Sequence, residues 1–213
     1  MGDQGMIDDV EAHGANATGG VPPGRPETPE RSEFHTHQRV SGAEVTRVTR
    51  VSDTGSLTVA ERRAYWERWM GVALDEARRA LDTGDVPVGA LVLDEAGRTI
   101  GVGHNEREAT GDPTAHAEVL AMRAAAAARG EWRLTGCTLV VTLEPCPMCA
   151  GALVQSRVRR LVLGAWDPKA GATGSVWDLV RDQRALHEVE VLGGVREHEC
   201  GLLLREFFAE RRT

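Results

Sequence analysis

Four residues in two short segments have the types and spacing of a hydrolytic metal site. One segment contains His116 and Glu118, and a later Pro-Cys-x-x-Cys run contains two cysteines. Imidazole and thiolate together are typical zinc ligands, and three protein ligands leave the fourth position of a catalytic zinc ion open for water. We therefore predict a zinc ion held by His116, Cys146 and Cys149.

Glu118 favours a catalytic zinc site over a structural one. A structural site has no use for a carboxylate two residues from a ligand. Hydrolysis, in contrast, needs a group that takes a proton from metal-activated water and returns it to the leaving group. Taken alone, this residue would be read as an ordinary surface glutamate, but beside the predicted ligands we interpret it as the general acid and base.

The local sequence places these residues at the amino ends of two helices. Pro113 predicts the start of one helix and Pro145 the start of the other. Residues two apart lie about 200° apart around a helix axis, so His116 and Glu118 can share a site only beyond the helix end. At the second helix, unpaired N–H groups and the positive end of the dipole favour thiolates.

The surrounding pattern predicts an α/β domain with a mixed sheet of about five strands covered by helices. A first amphipathic helix begins with a capping box at Thr58 and ends at Gly84. After a hairpin, helices and strands alternate, with one further helix expected between the last two strands. The predicted strands are 86–93, 99–103, 137–142, 160–163 and 189–192, and the later helices 113–129, 145–155 and 196–212.

Composition limits the class of protein. The 213 residues are 27% charged and 41% apolar with a formal net charge of −7, which is typical of a globular protein and unlike a strongly basic nucleic-acid binder. No apolar run reaches the length of about 18 residues that a membrane span needs, and no secretory signal is recognisable. We therefore expect a cytoplasmic protein without disulfides, in which Cys137 and Cys200 are core residues.

The chain is predicted to divide into a tail, 1–57, and a catalytic domain, 58–213. The tail is rich in Gly, Pro, Ala and Thr between positions 14 and 29 and has a single aromatic residue, Phe34. Such a segment buries too little apolar area to offset its conformational entropy, so we expect it to be disordered.

The spacing His-x-Glu followed by Pro-Cys-x-x-Cys is the signature of zinc nucleobase deaminases. From Tyr65 to Arg212 the chain resembles bacterial tRNA-specific adenosine deaminases, within the cytidine and deoxycytidylate deaminase superfamily. The zinc motif is shared with cytidine, deoxycytidylate and guanine deaminases, whereas the later stretches favour the tRNA branch. The resemblance is carried by residues 86–90, 112–118, 141–152, 152–156, 164–175, Phe207-Phe208 and Arg211-Arg212.

The resemblance implies a three-layer α/β/α fold, a homodimer and one zinc ion per subunit. It also implies hydrolytic deamination of the wobble adenosine of a tRNA anticodon to inosine by a zinc-activated water. Asn105 and the loop around Asp167 would contact the RNA, although each alone is also typical of a turn. The substrate contacts implied in this way are Val88, Asn105, Ala115, Asp167 and Lys169.

Two other functions stay open from the residues themselves. A deaminase of a free base such as guanine or cytosine would need the same zinc site but no RNA-contacting loop. A non-catalytic zinc module that binds RNA or protein would have no need of Glu118. The predicted partner in the leading interpretation is the anticodon stem-loop of a tRNA.

Overall fold

The computed structural model describes residues 57–211. These residues fall within one compact unit, Glu44–Thr213. The predicted disordered tail, 1–57, lies outside the described residues except for Leu57. Within the described part, no helix has both the length and the apolar character that crossing a bilayer requires.

Five strands and five α-helices form this part of the chain. The strands are β1 (Gly89–Leu93), β2 (Thr99–His104), β3 (Thr138–Leu143), β4 (Arg160–Ala165) and β5 (Glu190–Leu192). The helices are α1 (Val59–Arg79), α2 (Arg107–Thr110), α3 (Ala117–Arg129), α4 (Pro147–Gln155) and α5 (Glu197–Glu210). All five strands agree with the sequence prediction apart from their end residues.

The strands form one mixed sheet in the order β2-β1-β3-β4-β5. β1 pairs antiparallel with both of its neighbours, whereas β3, β4 and β5 run parallel. Because β3 and β4 are parallel and α4 connects them, their carboxyl ends lie side by side at one edge of the sheet. In α/β proteins this edge is where ligands usually bind.

Helices cover both faces of the sheet and make the predicted α/β/α layers. On one face, Trp66 and Met70 of α1 pack against Val162 of β4. On the other face, Ala121 of α3 and Leu153 of α4 belong to a second core cluster. Each large apolar side chain buried in this way stabilises the fold by about 1.5–3 kcal/mol.

The limits of α1 follow from its sequence as predicted. Thr58 is the N-cap, its hydroxyl accepts the Glu61 N–H, and the Glu61 carboxylate accepts the Thr58 N–H to complete the capping box. A short 3₁₀ turn, Ala80–Thr83, extends the helix, and Gly84 ends it with a φ of 75°. This left-handed conformation is one that glycine adopts without steric cost.

The start of α3 differs from the prediction. The helix begins at Ala117 and not near Pro113. Asp112 Oδ1 accepts hydrogen bonds from the backbone N–H and the hydroxyl of Thr114, each at 2.7 Å, and this bonding closes a separate turn before the helix. His116 is consequently the N-cap of α3 and does not lie in its first turn.

The start of α4 is also later than predicted. The helix begins at Pro147, which takes the first helical position, and not at Pro145. Cys146 is extended, with φ −71° and ψ 172°. A residue that precedes proline is driven out of the helical region by a clash with the proline ring, so the helix cannot include Cys146.

The predicted helix between β4 and β5 was wrong. Residues 166–189 form turns and irregular loop, with one isolated bridge between Thr173 and Asp178. Gly174 has a φ of 147°, which a helix does not allow. The loop is held by hydrogen bonds with residues that are distant in sequence. The composition of the loop itself does not reveal these bonds.

Candidate metal centre

The predicted metal ligands meet where the amino ends of α3 and α4 approach each other. His116 caps α3 and Cys146 caps α4, and neither side chain makes a capping hydrogen bond. Cys149 is the third residue of α4 and is buried. Two extended cap residues and one first-turn residue therefore direct their donor atoms to a common point.

The spacing of the three donor atoms fits a zinc ion. His116 Nδ1 lies 3.7 Å from the Sγ of Cys146 and 3.6 Å from the Sγ of Cys149. All three donor atoms are within 4.8 Å of one another. Tetrahedral zinc with Zn–N of about 2.0–2.1 Å and Zn–S of about 2.3 Å places nitrogen and sulfur about 3.6 Å apart. The geometry thus matches the predicted ligand set.

The pKa values of the two thiols shift in opposite directions because each side chain responds to the other. The hydrogen bond with Cys149 lowers the pKa of Cys146 to about 4, and the bond with His116 acts in the same direction against burial. The pKa of Cys149 is raised by Cys146 and by burial. Cys146 also raises the pKa of the His116 imidazole. A lowered pKa favours the thiolate form of Cys146, which is the form that ligates metal.

Glu118 is the second residue of α3 and is 4% exposed. Burial raises the pKa of its carboxyl group to about 7, while its own backbone N–H and the charge of His116 lower it. It also interacts with the side chain of Cys149. A carboxyl group that titrates near neutrality can both accept and release a proton, as a general acid and base must.

Asn105 has a structural role that its sequence context did not indicate. Its Oδ1 accepts the backbone N–H of Ala117 at 2.9 Å, at the start of α3. Its Nδ2 donates to the carbonyl of Val86 at 3.0 Å. Asn105 therefore orients the helix that carries Glu118, while its contact with a substrate base stays a prediction.

Two other predicted substrate residues lie beside Asn105. Val88 and Ala115 are both buried. The carbonyl of Val88 accepts the N–H of Asn105 at 3.1 Å, and the carbonyl of Ala115 accepts the N–H of Glu106 at 3.0 Å. Backbone hydrogen bonds thus bring three of the predicted substrate-contact residues together next to the start of α3.

The last two predicted contacts lie in the loop after β4. Asp167 Oδ1 accepts the backbone N–H of Lys169 at 2.9 Å, and Lys169 is exposed. The loop is bonded to Glu144, a buried residue between β3 and α4 for which the sequence predicted no role. The sequence feature that could have indicated a role for Glu144 is its position next to the Pro-Cys-x-x-Cys run.

Comparisons with known proteins show which family the chain belongs to. The family model of the cytidine and deoxycytidylate deaminase zinc-binding region matches residues 64–165. The chain is 49% identical over 146 residues to a tRNA-specific adenosine deaminase of Bacillus subtilis, covering 68% of this chain and 90% of the relative. It is 46% identical over 151 residues to a tRNA-specific adenosine deaminase of Haemophilus influenzae, covering 71% and 87%.

A solved structure has the same fold. It comes from work on A-to-I editing by tRNA:A34 deaminases at the wobble position of transfer RNA, and it aligns with a TM-score of 0.62 and 42% identity. The alignment covers 64% of this chain and 99% of that one. Fold and zinc-binding region define a cytidine deaminase-like enzyme. Within that class, the chain belongs to the family of tRNA-specific adenosine deaminases.

Removing one thiolate tests the ligand assignment. We expect Cys146→Ala to lose its zinc and to unfold at a lower temperature, because metal binding is coupled to folding. Zinc per chain is measured by mass spectrometry of the purified protein, and stability by thermal unfolding. Cys200→Ala is the control, since this thiol is buried in the core beside α1 and is not one of the predicted ligands, and this variant should retain its zinc. Full zinc occupancy in Cys146→Ala would contradict the assignment.

Proposed function

We propose that this protein hydrolytically deaminates the wobble adenosine in a tRNA anticodon, which converts that residue to inosine and releases ammonia. The observation that carries the proposal is a buried Glu118 beside a His-Cys-Cys centre, in a chain of the tRNA-specific adenosine deaminase family. Such a substrate implies a cytoplasmic protein.

The residues divide the chemistry between them. His116, Cys146 and Cys149 would hold one zinc ion per subunit, and bound zinc would supply an activated water molecule. Glu118 would take a proton from that water and deliver it to the leaving amino group, so that water and adenosine become inosine and ammonia. Burial of Glu118 supports this role, because it keeps the pKa of the carboxyl group close to neutral pH.

The proposed substrate surface has two parts. Val88, Asn105 and Ala115 would enclose the adenine base, which must be turned out of the anticodon loop to reach the site. Asp167 and Lys169 would contact the RNA next to that base. This division is supported by the positions of the two groups, one beside the start of α3 and the other on the loop after β4.

The substrate class is tested with purified protein and a panel of candidates. An anticodon stem-loop with a wobble adenosine is compared with free guanine, cytosine, cytidine and adenosine, and inosine and ammonia are assayed. We expect inosine from the stem-loop alone. Activity confined to a free base would favour the free-base deaminase, and inactivity on the whole panel would favour the non-catalytic zinc module.

Glu118→Gln separates catalysis from metal binding. We expect turnover to fall by about 10²–10⁴-fold, as is typical when a general acid and base is removed, while zinc content and thermal unfolding stay close to the original values. Glu95→Gln is the control, because Glu95 is an exposed carboxylate that forms an ion pair with Arg129. Unchanged turnover in Glu118→Gln would argue against the proposed role.

Lys169→Ala tests the RNA contact. A lysine that contacts RNA through its charge improves binding more than chemistry, so we expect KM for the stem-loop to rise about tenfold with little change in kcat. The rise should shrink at high salt, because screening weakens the original contact. Equal KM values for Lys169→Ala and the unaltered protein across salt concentrations would remove Lys169 from the RNA surface.

We also propose a homodimer, as the resemblance implies, formed through an apolar face of α3 and α4. Trp132, next to these helices, is 54% exposed, although large apolar side chains are usually buried. The other apolar residues of this face, the α3/α4 face, are Val119, Met122, Ala126, Leu134 and Ala152.

The α3/α4 face is tested by the mass of the protein in solution. Light scattering should give twice the chain mass of 23.0 kDa, and Trp132→Glu should give a single chain, because an unpaired charge would be buried in the interface. Val72→Glu on α1, at the opposite face of the sheet, should stay dimeric, since Val72 is 41% exposed there. A mass of one chain for the unaltered protein would exclude the dimer.

A further inference from the structure

Glu144 is a buried carboxylate between the end of β3 and the start of α4. It is 2% exposed and lies two residues before Cys146. A buried charge is unfavourable unless hydrogen bonds or opposite charges compensate it. The partners of Glu144 therefore show which part of the structure depends on it.

Four hydrogen bonds from one loop reach the Glu144 carboxylate. Oε2 accepts the backbone N–H of Asp167 at 2.9 Å. Oε1 accepts the N–H of Thr173 at 3.0 Å, the N–H of Ser175 at 3.1 Å and the Thr173 hydroxyl at 3.3 Å. Both ends of the 167–175 loop are thus bonded to a single side chain.

The loop also encloses this carboxylate closely. The backbone at Gly171 lies so near that an added Cβ would overlap Glu144 Oε2 and the Ser175 hydroxyl. The N–H of Ala172 donates to the carbonyl of Pro145 at 2.8 Å. The loop is therefore held both by Glu144 and by Pro145, which lies between Glu144 and Cys146.

We propose that Glu144 is a positioning residue that holds the 167–175 loop in register with the metal ligands, so that the loop meets RNA beside the reacting base. Within the segment 144–149, Cys146 and Cys149 would then hold the metal, and Glu144 would orient the loop that contacts the substrate. This inference rests on the proposed function for its substrate, but the anchoring of the loop can be measured without any substrate.

Glu144→Gln changes the bonding with little change in size. Glutamine has one acceptor oxygen where glutamate has two, so its amide group must face at least one backbone N–H of the loop. A donor facing a donor inside the protein is unfavourable. We therefore expect the loop to open more often while the metal ligands keep their positions.

Opening of the loop can be read at a single peptide bond. Lys169 is the only lysine in the chain, so endoproteinase Lys-C can cut it only after this residue. Cleavage of a folded protein reports how often the cut segment opens. We expect Lys-C to cut Glu144→Gln at least about tenfold faster than the unaltered protein, at equal zinc content.

The inference predicts that Glu144→Gln changes KM and kcat by different amounts. For the stem-loop, KM should rise about tenfold in Glu144→Gln while kcat changes by less than about twofold, because the loop binds RNA and does not transfer the proton. A merely structural role would lower the amount of active enzyme, and so kcat, without a change in KM.

Asp94→Asn is the matched control. Asp94 is also a buried carboxylate that accepts two backbone N–H groups, those of Ala96 and Arg98 at 2.9 Å, but it does so in the turn between β1 and β2. This turn follows the end of β1 that is opposite to the metal centre. Asp94→Asn should therefore leave both the Lys-C rate and KM unchanged.

Each result bears on one step of the inference. An unchanged Lys-C rate in Glu144→Gln would overturn the anchoring, and a faster rate with unchanged KM would overturn the positioning role. If Glu144→Gln does not fold, Gly171→Ala, which presses on the same carboxylate, is held to the same criteria. Failure of the unaltered protein to deaminate the stem-loop would instead overturn the proposed function and leave the Lys-C comparison valid.

Discussion

The structure depends on stabilising several acidic groups in one largely buried region. Cys146, Glu118 and Glu144 lie close to one another along the chain or in space, and each would be unfavourable there without partners. The protein provides these partners mainly through backbone N–H groups, from helix ends and from loop backbone. Backbone donors are fixed in place once the chain has folded, so they stabilise these groups without further rearrangement.

This requirement explains how the sheet and helices are arranged around the site. Two parallel strands and the helix between them bring the Pro-Cys-x-x-Cys segment to the sheet edge where the loop after β4 also emerges. Glycines of β2 allow α3 to lie directly on the sheet, since a Cβ at Gly103 would be 2.7 Å from the carbonyl oxygen of Ala117. The amino end of α3, with His116 and Glu118, is thereby held opposite that segment.

The residues that bond to the segments around the site have requirements as specific as those of the proposed metal ligands and acid/base. Asn105 accepts the first N–H of α3 with its side-chain oxygen and donates its amide to the segment before β1. Glu144 uses both carboxylate oxygens to hold the loop after β4. One polar side chain therefore bonds to each of the two segments that carry the proposed substrate surfaces.

The sequence by itself determined the five strands in their chain order and the family, and it indicated the proposed ligand set and the proposed general acid and base. These features follow from short-range chemistry: His116, Glu118, Cys146 and Cys149 have spacings that few other functions require, and apolar periodicity depends only on local geometry. The extended conformation of Cys146 can also be predicted from the local sequence, since Cys146 precedes Pro147. Only the tertiary structure decided that Asn105 accepts the first N–H of α3, that Glu144 bonds to the loop after β4, and that this loop is not a helix. In each case the bonding partners are 12 or more residues apart in the chain, and only the assembled sheet brings them into contact.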